Sequence, residues 1–223
     1  MIFLIGDTHR RKDVEKLLNI DFLVKDDYVI ILGDCGIVLD DIDTLLLDEL
    51  SKKPFNILFI DGNHEGYEIL NNLPIEEWNG GKVHKLSDNI YHLLRGEIFT
   101  IEDKKILAFG GAETLDKLEK IEGINWWKDE VPSFEEMTNC MNNLKKYDFN
   151  VDYILTHDCR TSTLYELCKL NSNFKSYPNI FNDFLESIYQ KTNFKHWYFG
   201  HYHLDLKCTK KETTVFNKLT CLK

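Results

Sequence analysis

Proline and arginine are scarce in this sequence: four of each occur in 223 residues, with no low-complexity tract and no internal repeat. Nothing in the composition therefore marks a linker, and one domain spanning 1–223 is expected, because 43% apolar content at this length can bury a continuous core. The six cysteines form no C-x-x-C pair and are scattered through a well-stocked core, which argues against both a zinc ribbon and a disulfide framework. Reduced thiols in a cytoplasm are the expectation. No eighteen apolar residues run together, and the opening Met1–Ile5 is a short run without a basic flank, so neither a membrane span nor a secretory leader is expected. The formal charge of −10 and the lack of a basic block argue against duplex nucleic acid or an anionic membrane surface as a partner.

What recurs is a grammar of strand ends. Short apolar runs stop abruptly at small and polar residues: Met1–Ile5 before Gly6-Asp7, Tyr28–Leu32 before Gly33-Asp34, and Asn56–Ile60 before Asp61-Gly62-Asn63-His64. Val151–Leu155 before Thr156-His157 and His196–Phe199 before Gly200-His201 repeat it. Each reads as a buried strand. Helical spacing lies between them, over Lys12–Leu18, Thr44–Leu50, Glu65–Asn71, Phe134–Lys146 and Pro178–Lys191, and this alternation predicts a largely parallel sheet covered by helices. In the middle, Lys82–Lys85, Ile90–Leu93, Glu97–Ile101 and Lys104–Phe109 are strand-like pieces without helical spacing. They predict an antiparallel second sheet, joined by segments near Leu206–Thr209 and Thr213–Phe216, giving two stacked sheets with helices outside.

Ligands bind beyond the carboxyl ends of strands in open α/β sheets, and these five ends release Asp, His and Asn, all metal-ligand types. The pairs Asp7/His9 and His201/His203 are spaced i, i+2, which in an extended chain aims both members to one side. A lone Asp or His after a strand is more often a turn former or cap. Five ends with the same chemistry reverse that preference.

G-D-T-H (6–9), G-D-C-G (33–36), G-N-H-E (62–65), T-H-D (156–158) and G-H-Y-H (200–203) together resemble the calcineurin-like metallophosphoesterases, over almost the whole chain. The resemblance implies an α/β fold, a four-layer α/β/β/α sandwich with two mixed central sheets. It also implies two divalent metal ions, one on Asp7, His9, Asp34 and His203, the other on Asp34, Asn63, His157 and His201, with Asp34 shared. His64 would face the substrate and serve the leaving oxygen.

Two such ions bring four positive charges against two carboxylates, so the rim attracts phosphate although the chain is acidic overall. They would acidify a bound water to supply the nucleophile, which makes Asp34 and His64 the central catalytic residues. Imidazole, carboxylate and amide ligands suit Mn, Fe, Zn, Co or Ni. Arg10 and Arg11 after the first motif, Arg160 after the fourth, and Arg95 are candidate phosphate grips, because a guanidinium fork matches phosphate. Gly110-Gly111 with Lys117 and Trp126-Trp127 form a second candidate lining of the cleft; the segment resembles a loop of small bacterial and phage members. Where protein phosphatases of the family carry G-D-x-x-D-R-G, this chain has Asp34 followed by Cys35, Gly36, Ile37, Val38 and Leu39. Asp40, Asp41 or Glu65 would orient His64 only if that loop folds back. The expected activity is hydrolysis of a small phosphomonoester or phosphodiester, nucleotides included. A nuclease or cyclic-nucleotide phosphodiesterase is the alternative, and a non-catalytic metal-bearing module is the reading from another class.

Overall fold

The computed structural model describes residues 1–38, 41–114, 119–123, 125–170 and 177–222. In chain order its elements are Ile2–Ile5 (β1), Glu15–Leu18 (α1), Tyr28–Leu32 (β2), Thr44–Ser51 (α2), Asn56–Ile60 (β3), Tyr67–Leu70 (α3) and Ile75–Trp78 (β4). Gly81–Ser87 (β5), Ile90–Leu93 (β6), Glu97–Ile101 (β7), Lys104–Phe109 (β8), Phe134–Lys146 (α4) and Tyr153–Thr156 (β9) follow. Thr161–Leu170 (α5), Ile180–Lys191 (α6), His196–Phe199 (β10), Leu206–Lys207 (β11), Glu212–Thr214 (β12) and Thr220–Cys221 (β13) complete the order. Polar residues start the helices where their free N–H groups need acceptors. Asp43 accepts from Leu46 N ahead of α2, Ser133 and Glu136 exchange bonds ahead of α4, and Asn179 caps α6.

Two sheets result. The first has the order β13-β1-β2-β3-β6-β5-β4 and the second β11-β12-β10-β9-β8-β7. Both are mixed, but β1, β2 and β3 run parallel, as do β8, β9 and β10. Between the sheets lies an apolar layer fed by both, including Leu4, Ile30, Leu58 and Val83 from one and Phe99, Ile106 and Leu155 from the other. On the outer face of the first sheet Leu17, Leu46, Leu50 and Leu70 pack from α1, α2 and α3; on that of the second Leu144, Leu164, Phe181 and Leu185 pack from α4, α5 and α6. The strands of each parallel trio are apolar on both faces because both are covered, which is why they read as continuous runs instead of alternating ones. The layers are helices, sheet, sheet, helices.

The middle section corrects one expectation. Its strands do not form a sheet of their own: β4, β5 and β6 extend the first sheet and β7 and β8 belong to the second. Ile90 registers beside Ile57 in a parallel pairing of β6 with β3, and Ile106 beside Tyr153 in a parallel pairing of β8 with β9. Hairpin patterns are local, and they carry no record of which distant strand their free edge will meet. None of the described helices is long and apolar enough to cross a membrane.

Candidate metal centre

Parallel pairing brings the carboxyl ends of β1, β2 and β3 to one edge, facing those of β9 and β10 across the interlayer. Close backbone approach is needed there. A Cβ on Gly33, whose φ is +92°, would lie 2.0 Å from His157 Nδ1, so only glycine admits the buried ring. His157 Nδ1 donates to the Leu32 carbonyl at 2.6 Å, which fixes the proton on Nδ1 and leaves Nε2 to face the edge.

Asp34 is the hub. Its Oδ2 lies 3.4 Å from His9 Nε2 and its Oδ1 3.5 Å from His157 Nε2, so the two carboxylate oxygens address different histidines. Asp7 stands beside it with Oδ1 buried and, among the described residues, without a hydrogen-bond partner, 3.7 Å from His203 Nε2. Potential ligand atoms of Asp7, His9 and His203 lie within 4.8 Å of one another, as do those of Asp7, Asp34 and His157. The His203 ring sits 4.9 Å from that of His9, and the His201 ring 5.0 Å from that of His157. Asn63 Oδ1 approaches His157 Nε2 at 3.3 Å. The seven expected ligands thus lie near one another; the two close groups share Asp7, and Asp34 faces histidines of both.

These residues fit divalent cations. The buried Asp7 oxygen is an orphan that a cation would satisfy. Burial pushes Asp7 up to about 7; Asp34, although burial opposes it, is held well below the usual carboxylate range by His157, His9 and His64. Burial also pushes His201 and His203 down to about 4, leaving neutral imidazoles with a lone pair to give. Residues 1–205 match the sequence model of the family described as calcineurin-like phosphoesterase. The chain belongs to that family. No curated protein matches it. The metallophosphoesterase family hydrolyses phosphoesters with divalent metals, and the donor set assembled here is of the type that chemistry uses.

The i, i+2 pairs of this family member do share a side, but not by extended geometry. Asp7, His9, Asp34, His201 and His203 have φ between 32° and 65°. Left-handed backbone at non-glycine residues costs about 1–2 kcal/mol each, strain that concentrates at functional sites. These turns are held by hydrogen bonds from one to another. Asp7 Oδ2 accepts from His201 N at 3.1 Å, Asp34 Oδ1 from His64 N at 2.8 Å, and the Asp34 carbonyl from Thr8 N and His9 N.

Several supporting residues escaped the sequence reading. Asp13 lies 3.3 Å from His9 Nδ1 and turns Nε2 toward Asp34; its i+4 spacing from His9 was the available signal. The Asp158 carboxylate accepts from Asn182 Nδ2 and Tyr202 Oη, tying α6 and the His201 turn together. Glu65 does not orient His64: its carboxylate accepts from Cys35 N at 2.7 Å and Gly36 N at 3.4 Å, holding the turn after Asp34. Asp41 faces Arg10 at 2.9 Å, and Asp40 lies outside the described residues. Cys35 and Cys159 are buried and their thiols pushed far above the ordinary range by that burial, in keeping with packing and not ligation.

The candidate phosphate grips sit elsewhere. A cleft of about 190 Å³ at the centre is lined by His9, Asp34, Asn63, His64, Lys120, His201 and His203, with no arginine among them. Arg95 is buried against Asp61 at 2.6 Å and reaches Glu136, while Arg160 grips Glu212 through two bonds of 2.9 and 2.8 Å and also meets Glu186. Arg10 bonds Asp43 and Asp41, and Arg11 lies 3.4 Å from Asp43 and 3.7 Å from Glu49. Acidic partners thus occupy all four forks. Lys117 lies outside the described residues. Trp126 bridges Glu122 and Trp127 precedes a 3-10 turn at Lys128–Glu130, and neither lines the cleft. Lys120, which the sequence reading passed over, does.

Proposed function

We propose that the protein hydrolyses a small phosphomonoester or phosphodiester, nucleotides included, at a two-ion centre in which Asp34 is shared. One observation carries this reading: the two oxygens of Asp34 face His9 and His157 separately, with the orphaned Asp7 oxygen beside them. Asp7, His9, Asp34 and His203 would hold one ion, and Asp34, Asn63, His157 and His201 the other, with Mn, Fe, Zn, Co or Ni suiting these donors. When bound, the ions supply Lewis-acid polarisation of the phosphoryl group and acidification of water.

The chain's own residues do the rest. Asp13 and the Leu32 carbonyl keep His9 and His157 in the tautomer that presents Nε2. His64 lines the cleft next to Asn63, where burial lowers its basicity; the neutral ring is placed to donate a hydrogen bond to the leaving oxygen. Lys120 is the cation lining that cleft among the described residues, and it would pair with a phosphoryl oxygen in place of the arginines. The small cleft holds little beyond the phosphoryl group itself, so the remainder of the substrate would lie on the outer surface, which suits varied leaving groups. Reduced buried thiols agree with a cytoplasmic setting.

Turnover of para-nitrophenyl phosphate and its bis ester, alongside metal analysis of the Mn-loaded protein, tests the proposal. Two ions per chain and Mn-dependent hydrolysis of at least one ester are expected; bound metal with hydrolysis of neither would favour a non-catalytic module. In the same assay His64→Ala should keep its metal and lose about 10² to 10⁴ in turnover. Unchanged turnover would remove His64 from the chemistry.

A further inference from the structure

An amide ligand has a polarity problem that a carboxylate does not. Asn63 can offer a cation only Oδ1, yet turning the side chain over replaces that oxygen with an NH₂ of nearly the same shape. Something must distinguish the two orientations. Asn63 Nδ2 donates to Thr114 Oγ1 at 3.0 Å, Thr114 Oγ1 donates to Glu130 Oε2 at 2.7 Å, and Thr114 N donates to Glu130 Oε1 at 2.7 Å. All three residues are buried.

We propose that Glu130, acting through Thr114, is the positioning residue that keeps the Asn63 oxygen turned toward the metal centre. A carboxylate can only accept. Glu130 therefore takes the hydroxyl proton of Thr114, the hydroxyl oxygen is left as an acceptor, and only the NH₂ side of Asn63 can meet it. Oδ1 then points the other way, to His157 Nε2. The inference rests on the two-ion reading.

The same relay accounts for the glycines of the 110–114 segment. Gly111, at φ +92°, donates its N–H to the Asp61 carbonyl, and a Cβ there would meet the Glu130 carbonyl at 2.7 Å; one on Gly110 would meet the Asp61 carboxylate at 2.3 Å. Ala112 N donates to the Glu130 carbonyl at 3.1 Å. These glycines draw the segment down between Asp61 and Glu130 so that Thr114 reaches Asn63. Their use is close packing behind the ligand.

Calorimetric titration of the metal-free full chain with Mn²⁺, on wild type, Glu130→Gln, Thr114→Val and Thr114→Ser, tests this. A Gln at 130 is nearly isosteric but can donate to Thr114, freeing the hydroxyl to face Asn63 as a donor and favouring the turned-over amide. Glu130→Gln and Thr114→Val should each weaken one of the two Mn²⁺ sites by about 10- to 100-fold and spare the other, the size typical of lost support behind a ligand. Thr114→Ser, which keeps the hydroxyl, should bind as wild type does. Two sites of unchanged affinity in both altered proteins would overturn the inference. So would equal weakening of both sites together with loss of stability in the metal-free protein, which marks a merely structural role. Failure of the wild type to bind Mn²⁺ at all would instead overturn the two-ion reading and take this inference with it.

Discussion

Two buried carboxylate clusters stand at neighbouring strand ends, Asp61 after β3 and the Asp7 and Asp34 pair after β1 and β2, and the protein partners them differently. Asp61 receives Arg95 at 2.6 Å, His92 Nε2 at 3.2 Å and Tyr67 Oη at 3.0 Å, and Arg95 and His92 hold it well below the usual carboxylate range although burial opposes this. Among the described residues no lysine or arginine meets the Asp7 or Asp34 carboxylate at comparable distance, Lys16 Nζ donating to the Asp7 backbone carbonyl at 3.0 Å and not to its carboxylate, and Asp7 Oδ1 has no hydrogen-bond partner. Burial is the same in both. What differs is the source of compensating charge: an arginine supplies it to Asp61, whereas only histidines stand at the Asp7 and Asp34 carboxylates, where on the two-ion reading bound cations would add to it. A buried carboxylate is thus assigned to structure or to function by its partners and not by its depth.

Replacing Asp34 should break the comparison most sharply. Asp34→Asn keeps an acceptor for His64 N but removes the charge shared between the two ligand groups. Turnover should fall by on the order of 10³ or more, since bound ions would lower the barrier by several kcal/mol. The metal-free protein should unfold at the same urea concentration or a higher one, because one of two adjacent buried anions is gone. Chelation should lower the melting temperature of the wild type and leave that of Asp34→Asn in place. A variant that is unstable without metal yet turns over normally would mean that Asp34 belongs with Asp61.

Arg95→Met should do the reverse. Asp61 would be left buried with its main cation removed, a loss of about 3–5 kcal/mol in urea unfolding. Adding Asp61→Asn to the same protein should recover part of it. Mn²⁺ affinity should change far less than in Asp34→Asn. If Arg95→Met abolished turnover while stability held, the arginine would be a substrate contact after all.

Distinguishing these clusters was beyond the sequence for a physical reason. The candidate ligands themselves were legible, because a strand that ends in Gly-Asp or Gly-His places that side chain at a sheet edge whatever else the chain does. Their partners were not. Arg95 and Arg160 looked like phosphate grips because arginine is scarce, and only the pairing of β10 with β12, or the docking of α4 near β7, shows that Glu212 and Glu136 already hold them. Glu130 reaches Asn63 through a single hydroxyl on a third segment, which leaves no spacing to read. The fold divides in the same manner. The runs that became β1, β2, β3, β9 and β10 were plain from local composition, whereas the assignment of β5–β6 and β7–β8 to different sheets depends on long-range edges. The helix α5 was missed because its buried face is narrow, consisting of Thr163, Leu164 and Leu167.

The smallest effect concerns the histidines that extend the Asp61 cluster. His84 Nδ1 lies 3.1 Å from His92 Nδ1, and His92 Nε2 meets Asp61, so the ring farthest from the carboxylate lacks its direct support. Burial first, and the neighbouring His92 second, push His84 down to about 4. A base whose folded value lies below its unfolded value of about 6.5 favours the folded state fully only above the unfolded value. That contribution is lost as pH falls from about 6.5 toward 4, because the unfolded chain takes up the proton and the folded chain does not. Screening at the cavity wall, where Lys82, Glu97, Glu135 and Glu136 also lie, keeps the effect to no more than about 2 kcal/mol. His84→Phe should therefore lose less stability than the wild type between pH 7.5 and pH 5 in urea unfolding. Equal losses in the two proteins would show that acid sensitivity resides elsewhere, and that the Asp61 cluster is compensated out to its last ring.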